Sequence, residues 1–200
     1  CEALCLASGG GQQGPILSAA GAHVTVFDNS PKQLAQDQAV AQRDGLSLKT
    51  MVGDMRDLSA FADDCFDFVF HPCSISFIPD VQPVFEEVYR VLKPGGSYVL
   101  GFCNPFIYTF DYDKMQQGEL VMRHAIPYSD SASLSSEELA GLTDANEPLC
   151  FGHSLDQVIG GQLAAGMLIT GFYEDSWGQG PEEIIDKYLS TLAATRAIKP

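Results

Sequence analysis

Short apolar runs alternate with amphipathic segments along the first hundred residues of the chain. Apolar runs of about four to eight residues are typical of buried strands, whereas apolar positions that recur about every three or four residues indicate helices. Their alternation predicts a mostly parallel sheet with helices on both faces, in the α/β class. We predict seven strands, at residues 3–7, 24–27, 46–52, 66–70, 98–103, 167–173 and 192–198.

Start and stop signals delimit the helices between these strands. Ser30 can cap the helix that follows the second strand, and Gly45 supplies the left-handed residue that ends it. Pro94 opens the turn that ends the helix before the fifth strand. Ser154 and Gln157 form a predicted capping box at the start of a later helix. The predicted helices cover residues 12–20, 31–44, 81–92, 155–166 and 181–189.

The segment 104–150 lacks this regularity. Its periodicity fades into aromatic, serine-rich and acidic stretches, and it is too long for an ordinary connection inside a compact domain. We interpret it as an inserted cap or lid after the fifth strand. The length of 200 residues and the apolar content of 46% suit a single domain at 1–200. The strand at 3–7 starts so close to Cys1 that we expect a further N-terminal segment before it.

Charge and cysteine content narrow the possible functions. A formal net charge of −15 repels a phosphate backbone, so we expect no nucleic-acid partner. The six cysteines are scattered without a CxxC pair, which is typical of reduced thiols in a cytoplasmic protein. The apolar stretches are too broken to span a bilayer, and no group of side chains has the spacing of metal ligands. We therefore expect a cytoplasmic protein without a membrane or metal partner.

A glycine-rich turn at residues 7–11 follows the first predicted strand. Glycine lets the backbone approach a ligand closely, and Gly9, Gly11 and Gly14 match the GxGxxG pattern. Asp28 ends the second strand about 20 residues further on, where a carboxylate can accept hydrogen bonds from ribose hydroxyls. Alternatively, Asp28 only opens the turn before the next helix. This pattern fits a dinucleotide enzyme and a methyltransferase equally well.

A second acidic segment, Gly53-Asp54-Met55, closes the third predicted strand. An aspartate there can accept a hydrogen bond from an adenine amino group while the methionine covers the ring, although an ordinary acidic turn is an alternative. With this segment in place, the chain resembles the class I S-adenosylmethionine-dependent methyltransferase family, whose fold is Rossmann-like. The resemblance is carried by residues 4–11, 24–30, 53–55, 66–70 and 91–96.

The resemblance implies a seven-stranded sheet, parallel except for its last strand, with S-adenosylmethionine lying across the carboxyl ends of the strands. Cys5 stands where the family often has an acidic residue, and Ala7 stands where glycine is common. Gln12 or Gln13 can replace the acid as a polar partner of the cofactor's amino or carboxylate group. The cofactor-binding residues that we expect are Ala7, Ser8, Gly9, Gly11, Gln13, Asp28, Asn29, Gly53, Asp54, Met55 and His71.

Methyl transfer is an in-line displacement, so most of the catalysis can come from positioning two reactants and excluding water. The segment 71–74 follows the fourth predicted strand, and the resemblance implies that it lies nearest the transferred methyl. Within it, His71 can hold the cofactor, orient the acceptor or act as a catalytic general base, and a structural histidine is the alternative. Aromatic residues of the cap can line a pocket for a small-molecule acceptor, and packing in the core of the cap is the alternative. They are Phe106, Tyr108, Phe110, Tyr112 and Tyr128.

Two rival functions stay open at this point. A nicotinamide-dependent reductase would use the same glycine turn, and Tyr89 and Lys93 have the Tyr-x-x-x-Lys spacing of short-chain dehydrogenases. However, Lys93 falls at a helix end, and the glycine turn lacks the spacing of that family. The changes at Cys5 and Ala7 would suit a non-catalytic S-adenosylmethionine-binding module. The sequence favours a methyltransferase that acts on a small molecule.

Overall fold

A computed structural model describes residues 1–178, 180–181 and 183–200. Its strands in chain order are β1 (Glu2–Leu6), β2 (His23–Asp28), β3 (Leu48–Val52), β4 (Phe66–His71), β5 (Leu92–Cys103), β6 (Tyr128–Ser129), β7 (Phe151–Gly152), β8 (Leu168–Asp175) and β9 (Leu192–Ile198). Its α-helices are α1 (Gln13–Ala19), α2 (Pro31–Asp44), α3 (Gln82–Val91), α4 (Tyr112–Gln116), α5 (Asp130–Ser133), α6 (Ser136–Ala145), α7 (Gly161–Ala164) and α8 (Glu183–Asp186).

The main sheet has seven strands in the order β3-β2-β1-β4-β5-β9-β8. Strands β1 to β5 pair in parallel, and β9 runs antiparallel to both β5 and β8. The predicted fold class, a Rossmann-like sheet that is parallel except for its last strand, is confirmed. The strand order reverses between β1 and β4. Sheets of this kind bind ligands outside the carboxyl ends of the strands at such a reversal.

The side chains of β1 are buried in two different layers. Ala3 and Cys5 pack with residues of α1 and α2, whereas Leu4 and Leu6 pack with residues of α3. All four side chains are fully buried. Burial of one leucine side chain contributes about 1.5–3 kcal/mol, so packing on both faces stabilises the position of β1. The turn that follows β1 therefore has a fixed starting point.

Local signals set the ends of the helices as predicted. The Ser30 hydroxyl accepts a hydrogen bond from the Gln33 N–H at 3.3 Å, and Gly45 ends α2 with a φ of 66°. The capping box of Ser154 and Gln157 is present, with hydrogen bonds of 2.9 and 3.2 Å. The helix after it begins with a π-helical turn that leads into α7.

Two elements differ most from the prediction. Strand β5 begins at Leu92 rather than at residue 98, because Leu92 adopts extended backbone angles directly after α3. The turn at 94–96 then becomes an irregularity in the pairing with β4. The helix predicted at 181–189 is represented by α8, which is shorter, and residue 182 lies outside the described residues.

The segment 104–150 contains the short helices α4, α5 and α6, and its strand β6 pairs with β7. Its side chains face the carboxyl ends of β4 and β5, where they enclose a cavity together with Cys73, Ser76 and Cys103. That the segment acts as a lid stays a prediction. None of the helices in the described ranges is long and apolar enough to cross a membrane.

Candidate functional site

Two neighbouring cavities lie at the carboxyl ends of the central strands. The first, which we call the loop cavity, has a volume of about 410 Å³ and lies between the β1–α1 turn, the start of α2 and the residues after β4. It is therefore located at the reversal of strand order. It is lined by Ala7, Ser8, Gly9, Gly10, Gln12, Gln13, Gln33, Gln36, Pro72, Cys73 and Ser74.

The second cavity, which we call the cap cavity, has a volume of about 660 Å³ and lies between the segment 104–150 and the ends of β4 and β5. Cys73 lines both cavities, so the two meet just after β4. Phe106 lies outside the cap cavity with its side chain half exposed, contrary to the prediction. The other predicted aromatic residues line it: Tyr108, Phe110, Tyr112 and Tyr128.

The β1–α1 turn presents backbone to the loop cavity. Ala7, Gly10 and Gly11 have φ angles of 46°, 134° and 80°. A residue with a side chain pays about 1–2 kcal/mol in the left-handed region, which explains why glycine suits the position of Ala7. A Cβ added at Gly9 would lie 2.7 Å from the Cβ of Gln33, so close packing against α2 requires glycine there.

The polar residues expected to replace an acid at Cys5 lie at the loop cavity. Cys5 itself is fully buried behind the turn, and burial raises the pKa of its thiol to about 12. Gln12 and Gln13 both line the cavity. Their contact with the amino-acid end of a cofactor stays a prediction.

Asp28, at the end of β2, is buried and binds two backbone amides. Its Oδ2 accepts a hydrogen bond from the Gly9 N–H at 2.9 Å, and its Oδ1 accepts one from the Ser30 N–H at 2.8 Å. Asp28 therefore opens the turn before α2 and also holds the glycine turn. Each carboxylate oxygen keeps a second lone pair, so the geometry permits the predicted ribose contact. Asn29 is exposed beside it.

Gly53, Asp54 and Met55 follow β3, and each makes a structural contact. A Cβ added at Gly53 would overlap the ring of Phe27. The Asp54 carboxylate accepts a hydrogen bond from Arg56 Nε at 3.0 Å, and this partner lowers the pKa of Asp54. Met55 is buried in the core. An adenine amino group would have to share Asp54 with Arg56, and the adenine contact stays a prediction.

His71 lies in the core and lines neither cavity. Its side chain is fully buried, its Nδ1 lies 2.9 Å from the Tyr98 hydroxyl, and its Nε2 has no partner among the described residues. Burial lowers the pKa of His71 to about 3. Side chains alternate along a strand, and the register of β4 turns His71 inward. This placement does not support the predicted cofactor contact or the predicted role as general base.

Four polar side chains that were not among the predicted cofactor contacts line the loop cavity. Gln33 and Gln36 lie in the first turns of α2, where Gln36 Nε2 donates a hydrogen bond to Gln33 Oε1 at 3.2 Å. Cys73 and Ser74 follow β4 directly. The position of Cys73 and Ser74 directly after a strand is a signal that the sequence contains, because ligands bind at the carboxyl ends of the strands where the strand order reverses.

The Cys73 thiol lies where the two cavities meet. The thiols of Cys73 and Cys103 both line the cap cavity, and their interaction lowers the pKa of Cys73 and raises that of Cys103. The titratable group at this junction is therefore a thiol rather than a histidine. Cys150 also lines the cap cavity, but within the part of the chain that the structure describes no group of three or more His, Cys, Asp or Glu residues could hold a metal ion.

His124 lines the cap cavity, in contrast to His71. Its ring lies edge-on to Tyr128, with the ring centroids 5.1 Å apart. Partial burial and the neighbouring Arg123 lower the pKa of His124, so its imidazole is neutral near pH 7. Arg123 forms an ion pair of 2.8 Å with Glu138, and both also line the cavity. The cap cavity therefore combines an aromatic wall with a polar rim.

Comparisons with known proteins identify the family. The sequence profile of a family described as "Methyltransferase domain" matches residues 4–100. The chain is 50% identical over 198 residues to the uncharacterized methyltransferase YbaJ of Bacillus subtilis, and the alignment covers 99% of this chain and 76% of that protein. The chain belongs to the class I S-adenosylmethionine-dependent methyltransferases.

More distant relatives agree with this assignment. The methyltransferase is 31% identical over 141 residues to the sterol 24-C-methyltransferase ERG6A of Gibberella zeae, in an alignment that covers 68% of this chain and 36% of that enzyme. This chain thus spans only about a third of the sterol enzyme. The crystal structure of an S-adenosylmethionine-dependent methyltransferase from Mesorhizobium loti superimposes with a TM-score of 0.74 at 17% identity, covering 98% of this chain and 90% of that one. At this identity the likeness shows the fold alone.

Membership of this family decides between the functions that the sequence left open. The chain is a methyltransferase that uses S-adenosylmethionine, and this family assignment favours it over a nicotinamide-dependent reductase. The loop cavity fits the polar end of this cofactor. Ser8 lines it with a hydroxyl that is buried beside the Cys5 thiol and makes no hydrogen bond of ordinary length within the described residues. A buried polar atom without a partner is a place where a ligand can bind.

Proposed function

We propose that this methyltransferase transfers the methyl group of S-adenosylmethionine to a small-molecule acceptor bound in the cap cavity. The observation that carries the proposal is the wall shared by the two cavities, since Cys73 lines both. A methyl donor in the loop cavity and an acceptor in the cap cavity would face each other across this residue. Positioning of this kind supplies a large part of the rate of a reaction between two molecules.

The size and lining of the cap cavity support a largely apolar acceptor. Its volume of about 660 Å³ falls within the range of about 300–1,000 Å³ typical of small-molecule sites. Tyr108 and Tyr128 stack in its wall with ring centroids 5.6 Å apart. The relative named as a sterol 24-C-methyltransferase is consistent with an apolar acceptor. The formal net charge of −15 argues against a nucleic acid.

The cofactor contacts that we propose follow the two cavities and the strand ends. Ser8 and Gln13 would bind the amino-acid end in the loop cavity, beside the backbone of residues 7–11. Asp28 would accept hydrogen bonds from the ribose hydroxyls, and Asp54 would accept one from the adenine amino group. Both carboxylates lie at the carboxyl ends of neighbouring strands, β2 and β3.

When bound, S-adenosylmethionine supplies a methyl group on a positively charged sulfur. The residues of the chain orient the acceptor toward this group and exclude water. Where the acceptor must lose a proton, we propose His124 as the proton acceptor, because it lines the cap cavity. Its lowered pKa keeps the imidazole in the neutral form that can accept a proton. His71 is too deeply buried to reach an acceptor there.

A cavity-filling variant tests the proposed acceptor site. Gly141 of α6 lines the cap cavity, and a Cβ added there meets nothing within 4 Å. Gly141→Trp should therefore fold and bind S-adenosylhomocysteine normally but lose most of its turnover, because the indole occupies the place of the acceptor. Turnover is measured as S-adenosylhomocysteine formed from S-adenosylmethionine in the presence of fractionated small-molecule extracts.

Ala140→Trp is the matched control, because Ala140 lies on the same helix but does not line the cavity. We expect it to keep wild-type turnover. Equal turnover in the two tryptophan variants would contradict the acceptor site. Failure of the wild-type protein to bind either S-adenosylmethionine or S-adenosylhomocysteine would contradict cofactor binding in the loop cavity.

A further inference from the structure

Successive amides of the glycine turn are bound by carboxylates of the protein itself. The Gly9 N–H donates to Asp28 Oδ2 at 2.9 Å, and the Gly10 N–H donates to Asp37 Oδ2 at 2.9 Å. Free amides in a glycine turn are well suited to hold an anionic ligand group. These two amides are already occupied, so the carboxylate of the cofactor needs other donors.

The polar side chains that face the loop cavity carry no charge among the described residues that line it. They include four glutamines and the buried, unpartnered hydroxyl of Ser8. The amino-acid end of S-adenosylmethionine carries an ammonium and a carboxylate. A side-chain amide offers an NH₂ to the carboxylate and an oxygen to the ammonium. Glutamines can therefore bind both groups without adding charge to the site.

Helix α2 brings one of these glutamines to the cavity by close packing against the turn. Gln33 and Asp37 are four residues apart, so they lie on the same face of α2. A Cβ added at Gly9 would lie 2.7 Å from Gln33 Cβ, and a Cβ added at Gly14 would lie 3.1 Å from Asp37 Oδ1. This face of α2 thus contacts the β1–α1 turn directly, and glycine makes the contact possible.

Asp37 occupies an energetically unfavourable position in the fold. Its side chain is fully buried, its Oδ1 has no partner among the described residues, and burial raises its pKa. A buried carboxylate with an unpaired oxygen destabilises the folded state. A buried polar group without a partner is expected where a residue serves function. The hydrogen bond that Asp37 accepts from Gly10 fixes the turn that lines the loop cavity.

We propose that α2 completes the binding site for the amino-acid end of S-adenosylmethionine, with Gln33 in direct contact with the ammonium or carboxylate. Asp37 is a positioning residue that acts through Gly10. This inference rests on the proposed function, because it requires the cofactor in the loop cavity. It assigns part of the amino-acid site to a helix that follows the second strand.

Two ligands separate this part of the site from the rest. S-adenosylhomocysteine carries the amino-acid end, whereas adenosine lacks it. Gln33→Met keeps the length of the side chain but removes the amide. We expect the calorimetric Kd for S-adenosylhomocysteine to rise about tenfold, as loss of a hydrogen bond to a charged group does, while the Kd for adenosine changes less than about twofold.

Gln38→Met is the matched control for this substitution. Gln38 lies on the same helix, but its amide donates to Thr50 Oγ1 at 2.6 Å, outside the loop cavity. Both ligands should bind this variant as they bind the wild-type protein. Equal effects of the two methionine substitutions would assign any loss of affinity to the helix rather than to the site.

The role of Asp37 is tested by a pair of variants. Asp37→Ala should weaken S-adenosylhomocysteine more than adenosine, because the freed turn disturbs the amino-acid end. Asp37→Asn keeps an acceptor for the Gly10 N–H and should restore most of the affinity. A merely structural role would lower the melting temperature without changing the ratio of the two affinities.

The results separate this inference from the proposed function. An unchanged ratio of the two affinities in Gln33→Met, in protein that still binds S-adenosylhomocysteine, would overturn the inference. Gln33 is exposed, so this variant decides the outcome even where Asp37→Ala does not fold. Wild-type protein that binds neither S-adenosylmethionine nor S-adenosylhomocysteine would instead overturn the proposed function.

Discussion

Asp28→Ala tests how the cofactor is held, because one carboxylate links the glycine turn, the start of α2 and the proposed ribose site. The substitution removes the acceptor of the Gly9 N–H bond at 2.9 Å and of the Ser30 N–H bond at 2.8 Å. It also removes the partner that we propose for the ribose hydroxyls. Two losses must therefore be distinguished, one of stability and one of affinity.

The magnitudes follow from these contacts. A hydrogen bond to a charged group contributes about 1.5–3 kcal/mol, and the part-buried amides of Gly9 and Ser30 recover some of this from water. We expect Asp28→Ala to lower the free energy of unfolding by about 2–4 kcal/mol. Loss of the charge-assisted ribose contact should raise the Kd for S-adenosylmethionine at least about tenfold, or roughly 1.4 kcal/mol.

Calorimetric titration with two ligands identifies the cause of the lost affinity. If Asp28 binds the ribose, S-adenosylhomocysteine and adenosine should weaken by the same factor, since both carry the ribose. If Asp28 acts only through the turn, S-adenosylhomocysteine should weaken more than adenosine. A folded Asp28→Ala protein with wild-type affinity for both ligands would refute the reasoning and place the ribose elsewhere.

Three further predictions concern His71 and Gly53. His71→Asn should keep kcat within about threefold of wild type, since the ring touches neither cavity; a large fall in kcat with unchanged affinity would return His71 to the catalytic site. Because burial holds the folded-state pKa of His71 near 3, below its ordinary value of 6.5, the unfolded chain binds a proton that the folded protein does not. The free energy of unfolding should therefore fall by up to about 1.4 kcal/mol per pH unit as the pH drops below about 6.5 toward 3. In urea titrations at pH 7 and pH 5, the free energy of unfolding of His71→Asn should therefore fall less than that of the wild-type protein. An equal fall in the two proteins would contradict this prediction. Gly53→Ala should destabilise the fold by about 1–3 kcal/mol through overlap with Phe27, and unchanged thermal unfolding would show that the chain relaxes there.

The arrangement of strands and helices could be predicted because each boundary depends on nearby residues. The Ser30 cap and the left-handed Gly45 act within one turn of α2. The apolar runs that become β1 and β2 are buried on both faces, so they give a continuous signal. The family pattern at residues 53–55 then separated two enzyme classes that share this fold.

The facing of individual side chains could not be predicted in the same way. His71 lies at a strand end, where one residue of shift moves a side chain from the core to the cavity. The sequence pattern of β4 does not show which face His71 occupies, because both faces of this strand are partly apolar. Asp37 was missed because its partner Gly10 is 27 residues away, and only the packing of α2 on the turn brings the two together.

The glycines of the turn explain why the GxGxxG pattern alone did not separate two enzyme classes. Side chains at Gly9 and Gly11 would press against α2, and one at Gly14 would press against Val26 and Asp37. These glycines are thus required by the fit between a turn and the helix after the second strand, whatever ligand lies beyond them. A pattern set by packing is shared by every enzyme that packs in this way. Discrimination therefore depends on side chains that face the cavity, and here α2 supplies Gln33 among them.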